Sequence, residues 1–208
     1  MASEIQKFGI IEQSAIREIA NIGLGHATTA LSSMTGRPFN MSVPDAEQMT
    51  LEEIPLKLGG GEALAVGIYM PFVGDTNGHI AFLLPFESAQ SLWTMLLGMK
   101  PETPAEMDDL YNSAIIEVGN IINSSFLSAI SDMTNLRMES TPPMICADMS
   151  VAVLNAVICQ AAHVDSEALA IRTSIHDEES SVEGFFVFIP TVGGLRKVFN
   201  ALGIEEAA

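Results

Sequence analysis

The chain has 208 residues, 48% of them hydrophobic, and its 26 acidic against 9 basic residues give a formal net charge of -17. That shortage of Lys and Arg excludes nucleic acid as a partner, because phosphate contacts need cations, and it disfavours an anionic membrane surface. The length and apolar fraction suffice for a sizeable core. The apolar residues come in broken runs such as Ile80–Leu84 and Phe185–Ile189, far shorter than the roughly 20 residues that cross a bilayer, so no membrane insertion is expected. Met1–Lys7 is polar and of mixed charge, unlike a secretory signal, and the protein is expected in the cytoplasm. Cys146 and Cys159, both inside apolar stretches, read as buried thiols and support no disulfide framework.

In chain order the first element is a long amphipathic helix, predicted over about Phe8–Met34. Strands follow near Phe39–Glu47, Ala63–Pro71 and Gly78–Pro85, with loop chemistry at Thr50–Gly61 and a turn at Gly74–Gly78. A second amphipathic helix is predicted over Glu87–Leu97. The same order then recurs, with a helix at Pro104–Thr134, strands at Met138–Ala147, Ala168–Ile175 and Val182–Pro190, the last two joined by a turn at Asp177–Ser180, and a closing helix at Val192–Leu202. An extra apolar segment, Met149–Ala162, reads as a helix that the first half lacks.

The recurrence is explicit when the chain is laid on itself at a shift of 99 residues, which aligns Ser14–Thr35 with Ser113–Thr134 and makes ten of the twenty-two pairs identical. Among them are Ser14/Ser113, Glu18/Glu117 and Asn21/Asn120, and Pro44/Pro143 keep the same shift. The expected fold class is α+β: two pseudo-twofold-related αβββα halves, about 8–100 and 104–205, in one domain spanning 1–208. Three strands cannot hide their apolar faces alone, so the halves should share one six-stranded, mainly antiparallel sheet with the two long motif-bearing helices outside.

On the first helix Ile16, Ile19, Ala20, Gly23, Ala27, Ala30, Leu31 and Met34 share the inner face, while Ser14, Glu18, Asn21 and Gly25 line the opposite ridge. In the second copy the ridge is Ser113, Glu117, Asn120 and Ser124. Glu and Asn on an outer face are ordinarily just solvated. Yet Asn is a poor residue for a helix interior, and it stands mid-helix in both copies. Neither side chain is a strong nucleophile and no His, Cys or second acid accompanies them. Such a pair can bind and orient: a carboxamide can hold an attacking water while donating to a phosphoryl oxygen, and a carboxylate one turn away can pair with a partner's cation.

The two strings Ser14-x3-Glu18-x2-Asn21-x22-Pro44 and Ser113-x3-Glu117-x2-Asn120-x22-Pro143 resemble the paired signature of the CheC/CheX/FliY phosphatases. Glu18-Ile-Ala-Asn-Ile-Gly-Leu-Gly25, Glu117-Val-Gly-Asn-Ile-Ile122, Met34-Thr-Gly-Arg-Pro38 and Thr141-Pro-Pro143 are similar to that family too, and the length resembles its CheC type. The resemblance implies hydrolysis of the aspartyl phosphate on a CheY-like response regulator, with Glu18 and Glu117 contacting the regulator's active-site lysine and Asn21 and Asn120 positioning the water. Ser14, Ser113, Pro44 and Pro143 would be supporting residues. It also implies that the magnesium ion belongs to the regulator, so this chain needs no metal or cofactor of its own. Some members bind CheD, a receptor glutamine deamidase, through the second half. The segment from Asp148 to Ala162 is then the candidate contact, with Asp148 its polar anchor, although core packing explains its apolar content equally well. A non-catalytic adaptor that merely holds a regulator or CheD is the competing class. His26, His79, His163 and His176 are widely separated in sequence and lack metal-ligand spacing.

Overall fold

The structure, a computed structural model, describes residues 9–159, 167–176 and 180–204, without the side chains of residues 43–48 and 167. Its helices are α1 Ile10–Thr35, α2 Ile54–Lys57, α3 Phe86–Leu97, α4 Asp109–Thr134, α5 Ser150–Cys159 and α6 Gly194–Ala201. The strands are β1 Asn40–Thr50, β2 Leu64–Gly74, β3 Gly78–Pro85, β4 Met138–Ser140, β5 Met144–Met149, β6 Glu167–His176 and β7 Ser181–Pro190. The turn expected over 177–180 lies, apart from Ser180, outside the described residues.

The strand order is β1-β6-β7-β3-β2-β4, with β5 also on β2, and every pairing is antiparallel. Exchanging the halves swaps β1 with β4 and β5, β2 with β6 and β3 with β7, which returns the same order reversed. The pseudo-twofold axis therefore passes between β3 and β7, where Ile80 pairs with Phe188 and Phe82 with Phe186. Each half lends its first strand to the sheet edge built by the other. This exchange gives every strand a neighbour for its backbone groups.

Two details differ from the sequence expectation. The single strand foreseen at Met138–Ala147 is interrupted, giving seven strands rather than six, because Pro142 and Pro143 offer no N–H to the ladder. At the equivalent place in the first half, the pairing of β1 with β6 shifts register between Ser42 and Asp45, around Pro44. The region read as a loop, Thr50–Gly61, contains a 3-10 turn at Leu51–Glu53 that runs into α2, started by Pro55. Both halves thus insert a helix after their first strand, and αβαββα replaces αβββα.

The sheet is buried on both faces, as the unbroken apolar runs of β3 and β7 require. Val66, Ile68, Met70, Ile80, Phe82, Phe186 and Phe188 face the cluster under α1, α3, α4 and α6. Ala65, Tyr69, Ala81, Leu83, Ala170 and Val187 face a smaller one with Ile54 and Leu58 near α2 and Val153, Leu154 and Val157 of α5. Trp93 of α3, fully buried, donates its ring N–H to the Tyr111 carbonyl at 2.8 Å and packs edge-on to Phe86 and Tyr111, tying α3 to α4.

The inner stripe of α1 is Ile16, Ile19, Ala20, Gly23, Leu24, Ala27 and Leu31. Ala30 and Met34, placed inside by periodicity, are exposed instead, because α1 rests largely on α4 and β1 and meets a narrower surface than a sheet face. Two glycines set how deep these helices sit. A Cβ on Gly23 would lie 3.0 Å from the Phe126 Cα, and one on Gly119 would lie 2.4 Å from Cγ2 of Ile68. Gly119→Ala should therefore lift α4 off β2 and lower stability by about 1–3 kcal/mol, read as a fall in the urea midpoint with an unchanged m-value.

Candidate functional site

Because α1 and α4 turn their apolar stripes inward, their opposite ridges face solvent. Ser14, Glu18 and Asn21 are exposed on α1; on α4 Ser113 and Glu117 are exposed and Asn120 is half-buried. The i, i+3 spacing sets each Glu one turn before its Asn on the same face. The structure thus brings Glu18 together with Asn21, and Glu117 with Asn120, as two separate but equivalent ridges.

The ridges are not identical. Ser124 Oγ donates to Asn120 Oδ1 at 3.4 Å, one turn further along α4. The equivalent position in α1 is Gly25, which has open space around it and no hydroxyl to offer. The second carboxamide is therefore restrained while keeping one acceptor lone pair and both N–H donors for a ligand, whereas the first has no such bond among the described residues. Next to Asn120's ridge, Asn123 is fully buried and donates to the Ile68 carbonyl at 3.4 Å, where the first half has Leu24. Its Oδ1 lacks a partner among the described residues.

The supporting residues sit further off in role. Pro44 lies at the register shift of β1, and Pro143, half-buried, lies in the break between β4 and β5. Asp148 is exposed on β5 and its carboxylate accepts from the Met149 N–H at 2.7 Å. It lies next to exposed Met149 near the end of β5 and pairs with Ala65 of β2, which faces the α5 side of the sheet. The inner face of α5 is core, as one of the two sequence alternatives had it, and residues 160–162 of that segment lie outside the described part. The thiols depart from expectation: Cys146 of β5 is half-buried and Cys159 is exposed, on the side of α5 away from buried Val153, Leu154 and Val157.

No cluster of three or more metal-ligating side chains occurs among the described residues. His79 is buried in β3, and burial pushes its pKa down, favouring the neutral ring; His163 lies outside the described residues. By length and composition α4 would be able to cross a membrane, but half of its most apolar stretch is packed inside the protein, as expected for a core helix.

An outer pair of carboxylate and carboxamide ridges on a pseudo-twofold α+β scaffold defines a class of protein that acts on a partner rather than on a small molecule in a pocket. The CheC-like family matches residues 11–47 and the family described as chemotaxis phosphatase CheX matches residues 66–167, so each match includes one of the two long helices. The chain is 29% identical over 197 residues to CheY-P phosphatase CheC of Bacillus subtilis strain 168, covering 92% of this chain and 94% of that one. It is 21% identical over 187 residues to a protein named putative CheY-P phosphatase CheC1 of Halobacterium salinarum, covering 90% and 94%. Among solved structures, FliY of Thermotoga maritima superposes with a TM-score of 0.75 at 17% identity, covering 96% of this chain and 99% of that one, which shows a shared fold. The chain thus resembles the CheC-like and chemotaxis phosphatase CheX families.

The asymmetry between the ridges is measurable without any partner. In side-chain 15N relaxation the Asn120 amide should show the higher order parameter, and Ser124→Ala should bring it down towards that of Asn21.

Proposed function

We propose that this protein is a chemotaxis signalling phosphatase that hydrolyses the aspartyl phosphate of a CheY-like response regulator. The observation that carries the reading is the twin Glu-x2-Asn ridge, solvent-facing on both long helices, in a chain related over nine-tenths of its length to a CheY-P phosphatase.

Asn21 and Asn120 each accept a hydrogen bond from the attacking water through Oδ1 and donate from Nδ2 towards a phosphoryl oxygen, which places the water about 3–3.5 Å from phosphorus and in line with the leaving oxygen. The water oxygen bonds to phosphorus, the bond from phosphorus to the aspartyl oxygen breaks, and inorganic phosphate departs with the regulator's carboxylate restored. In a loose transition state the water gives up its proton late, to a phosphoryl oxygen or to solvent, so no strong base is required on the ridge. Glu18 and Glu117 pair with the regulator's active-site lysine, fixing the docking pose. Ser14, Ser113, Pro44 and Pro143 support the ridges. The magnesium ion that neutralises the phosphoryl charge is held by the regulator, and the protein works beside its substrate in the cytoplasm.

CheD is a second partner on this reading. Asp148, exposed near the junction of β5 and α5 where Met149 and Val151 are also exposed, combines a charged group with nearby apolar area, the composition of a protein interface. A pure adaptor would use the same surfaces without accelerating hydrolysis.

Loss of acid-labile phosphate from a phosphorylated CheY-type regulator separates the two. Asn21→Ala with Asn120→Ala should lower the accelerated rate by at least about 100-fold with an unchanged melting temperature, and each single variant should retain partial activity. Glu18→Lys with Glu117→Lys should instead raise KM by about tenfold. A fully active double Asn variant would show that the water is not oriented by these amides. A wild-type protein without any effect on the decay would leave the adaptor.

A further inference from the structure

The two ridges share one more feature. At three residues before each signature serine stands a large aliphatic side chain, Ile11 in α1 and Leu110 in α4, related by the same shift of 99. Both occupy the second position of their helices, and they are 70% and 52% exposed. The spacings from Ile11 to Ser14, Glu18 and Asn21 repeat from Leu110 to Ser113, Glu117 and Asn120, so all four side chains of each series lie on one face. At 1.5 Å rise per residue the aliphatic group sits about 10 Å from the Glu and about 15 Å from the Asn, well inside the area of one standard interface, roughly 800 Å² per partner.

One exposed aliphatic residue needs no explanation. Two at the same repeat position, heading two otherwise polar ridges, are different. Neither helix gains from them: both are first-turn positions, where polar residues serve as well or better, and Asp108 already caps α4 through the Leu110 and Tyr111 N–H groups. Neighbouring positions show no such pairing, since Ile10 answers to Asp109 and Arg17 to Ile116.

We infer that Ile11 and Leu110 are docking residues of the two centres, each seating in an apolar recess of the response regulator about 15 Å from its phosphorylated aspartate. This rests on the phosphatase reading and adds the means by which a regulator is held before its water is aimed. Charge pairing at the Glu guides approach, while burial of the aliphatic group slows departure. The face is continuous with the catalytic ridge, and nothing else in the described chain covers it.

The test is steady-state phosphate release from a CheY-type regulator phosphorylated by a small-molecule donor with magnesium. Ile11→Ser with Leu110→Ser should raise KM about tenfold or more, the effect of losing a buried aliphatic contact, with kcat at saturation and melting temperature unchanged. Leu56→Ser, removing an aliphatic side chain that is 71% exposed near the opposite sheet face, should leave KM as it was. An unchanged KM in the double Ser variant, with wild-type protein active, overturns the inference and leaves the phosphatase reading intact. A fall in melting temperature without a KM change would mean that the side chains pack on residues of this chain, and a changed oligomeric state without a KM change would mean a second copy covers them. Either result also overturns it. An inactive wild-type protein would instead be the failure of the phosphatase reading itself.

Discussion

The packing of α1 and α4 is the constraint on which the rest depends. Phe126 of α4 is wedged against Gly23 of α1 and against the ring of Phe186 in β7, with ring centroids 3.8 Å apart, while Gly119 lets the same helix settle onto Ile68 of β2. A large side chain from one half thus fills the space that a glycine in the other leaves open. Once these contacts fix the rotation of both helices, the outward direction of Glu18, Asn21, Glu117 and Asn120 follows from 3.6 residues per turn. The outer ridges carry little packing themselves, so they are free to present polar groups, while the opposite stripes hold the fold.

The sheet serves the same end. Strand exchange at both edges joins the halves more firmly than face packing alone, since breaking them apart would open two ladders of backbone hydrogen bonds. Such a joined base suits the proposed orientation of a water, where misplacement by about 1 Å can cost roughly 100-fold in rate. The departures from symmetry are local. Ser124 restrains one carboxamide and Gly25 leaves the other free, and α5 is longer than its counterpart α2, so the surface around Asp148 exists once.

Much of this was legible in the sequence because duplication doubles every signal. The 99-residue shift revealed the two long helices, the paired prolines and the ridges, and helical periodicity put the right residues on the outside. What escaped depended on tertiary detail. The break at Pro142 was hidden inside an apolar run that reads as one strand, and α2 is a single turn whose Ile54 and Leu58 become meaningful only against α5. Cys159 looked buried because its segment is apolar all round, whereas only one side of α5 meets the sheet. Ile11 and Leu110 were within reach of the same shift, but an unmatched Ile/Leu pair falls outside a search for identities. The bond from Ser124 to Asn120 needed coordinates.

The proposed phosphatase activity requires two solvent-facing carboxamides to reach a phosphoryl group held by another protein. Its most direct test is an NMR titration with a regulator carrying a beryllofluoride phosphoryl mimic, following the side-chain amide resonances. The prediction is that the Asn21 and Asn120 side-chain signals shift most, along with the backbone of both ridges. Perturbations confined to α2, α5 and the Asp148 surface, with both Asn signals unmoved, would contradict it.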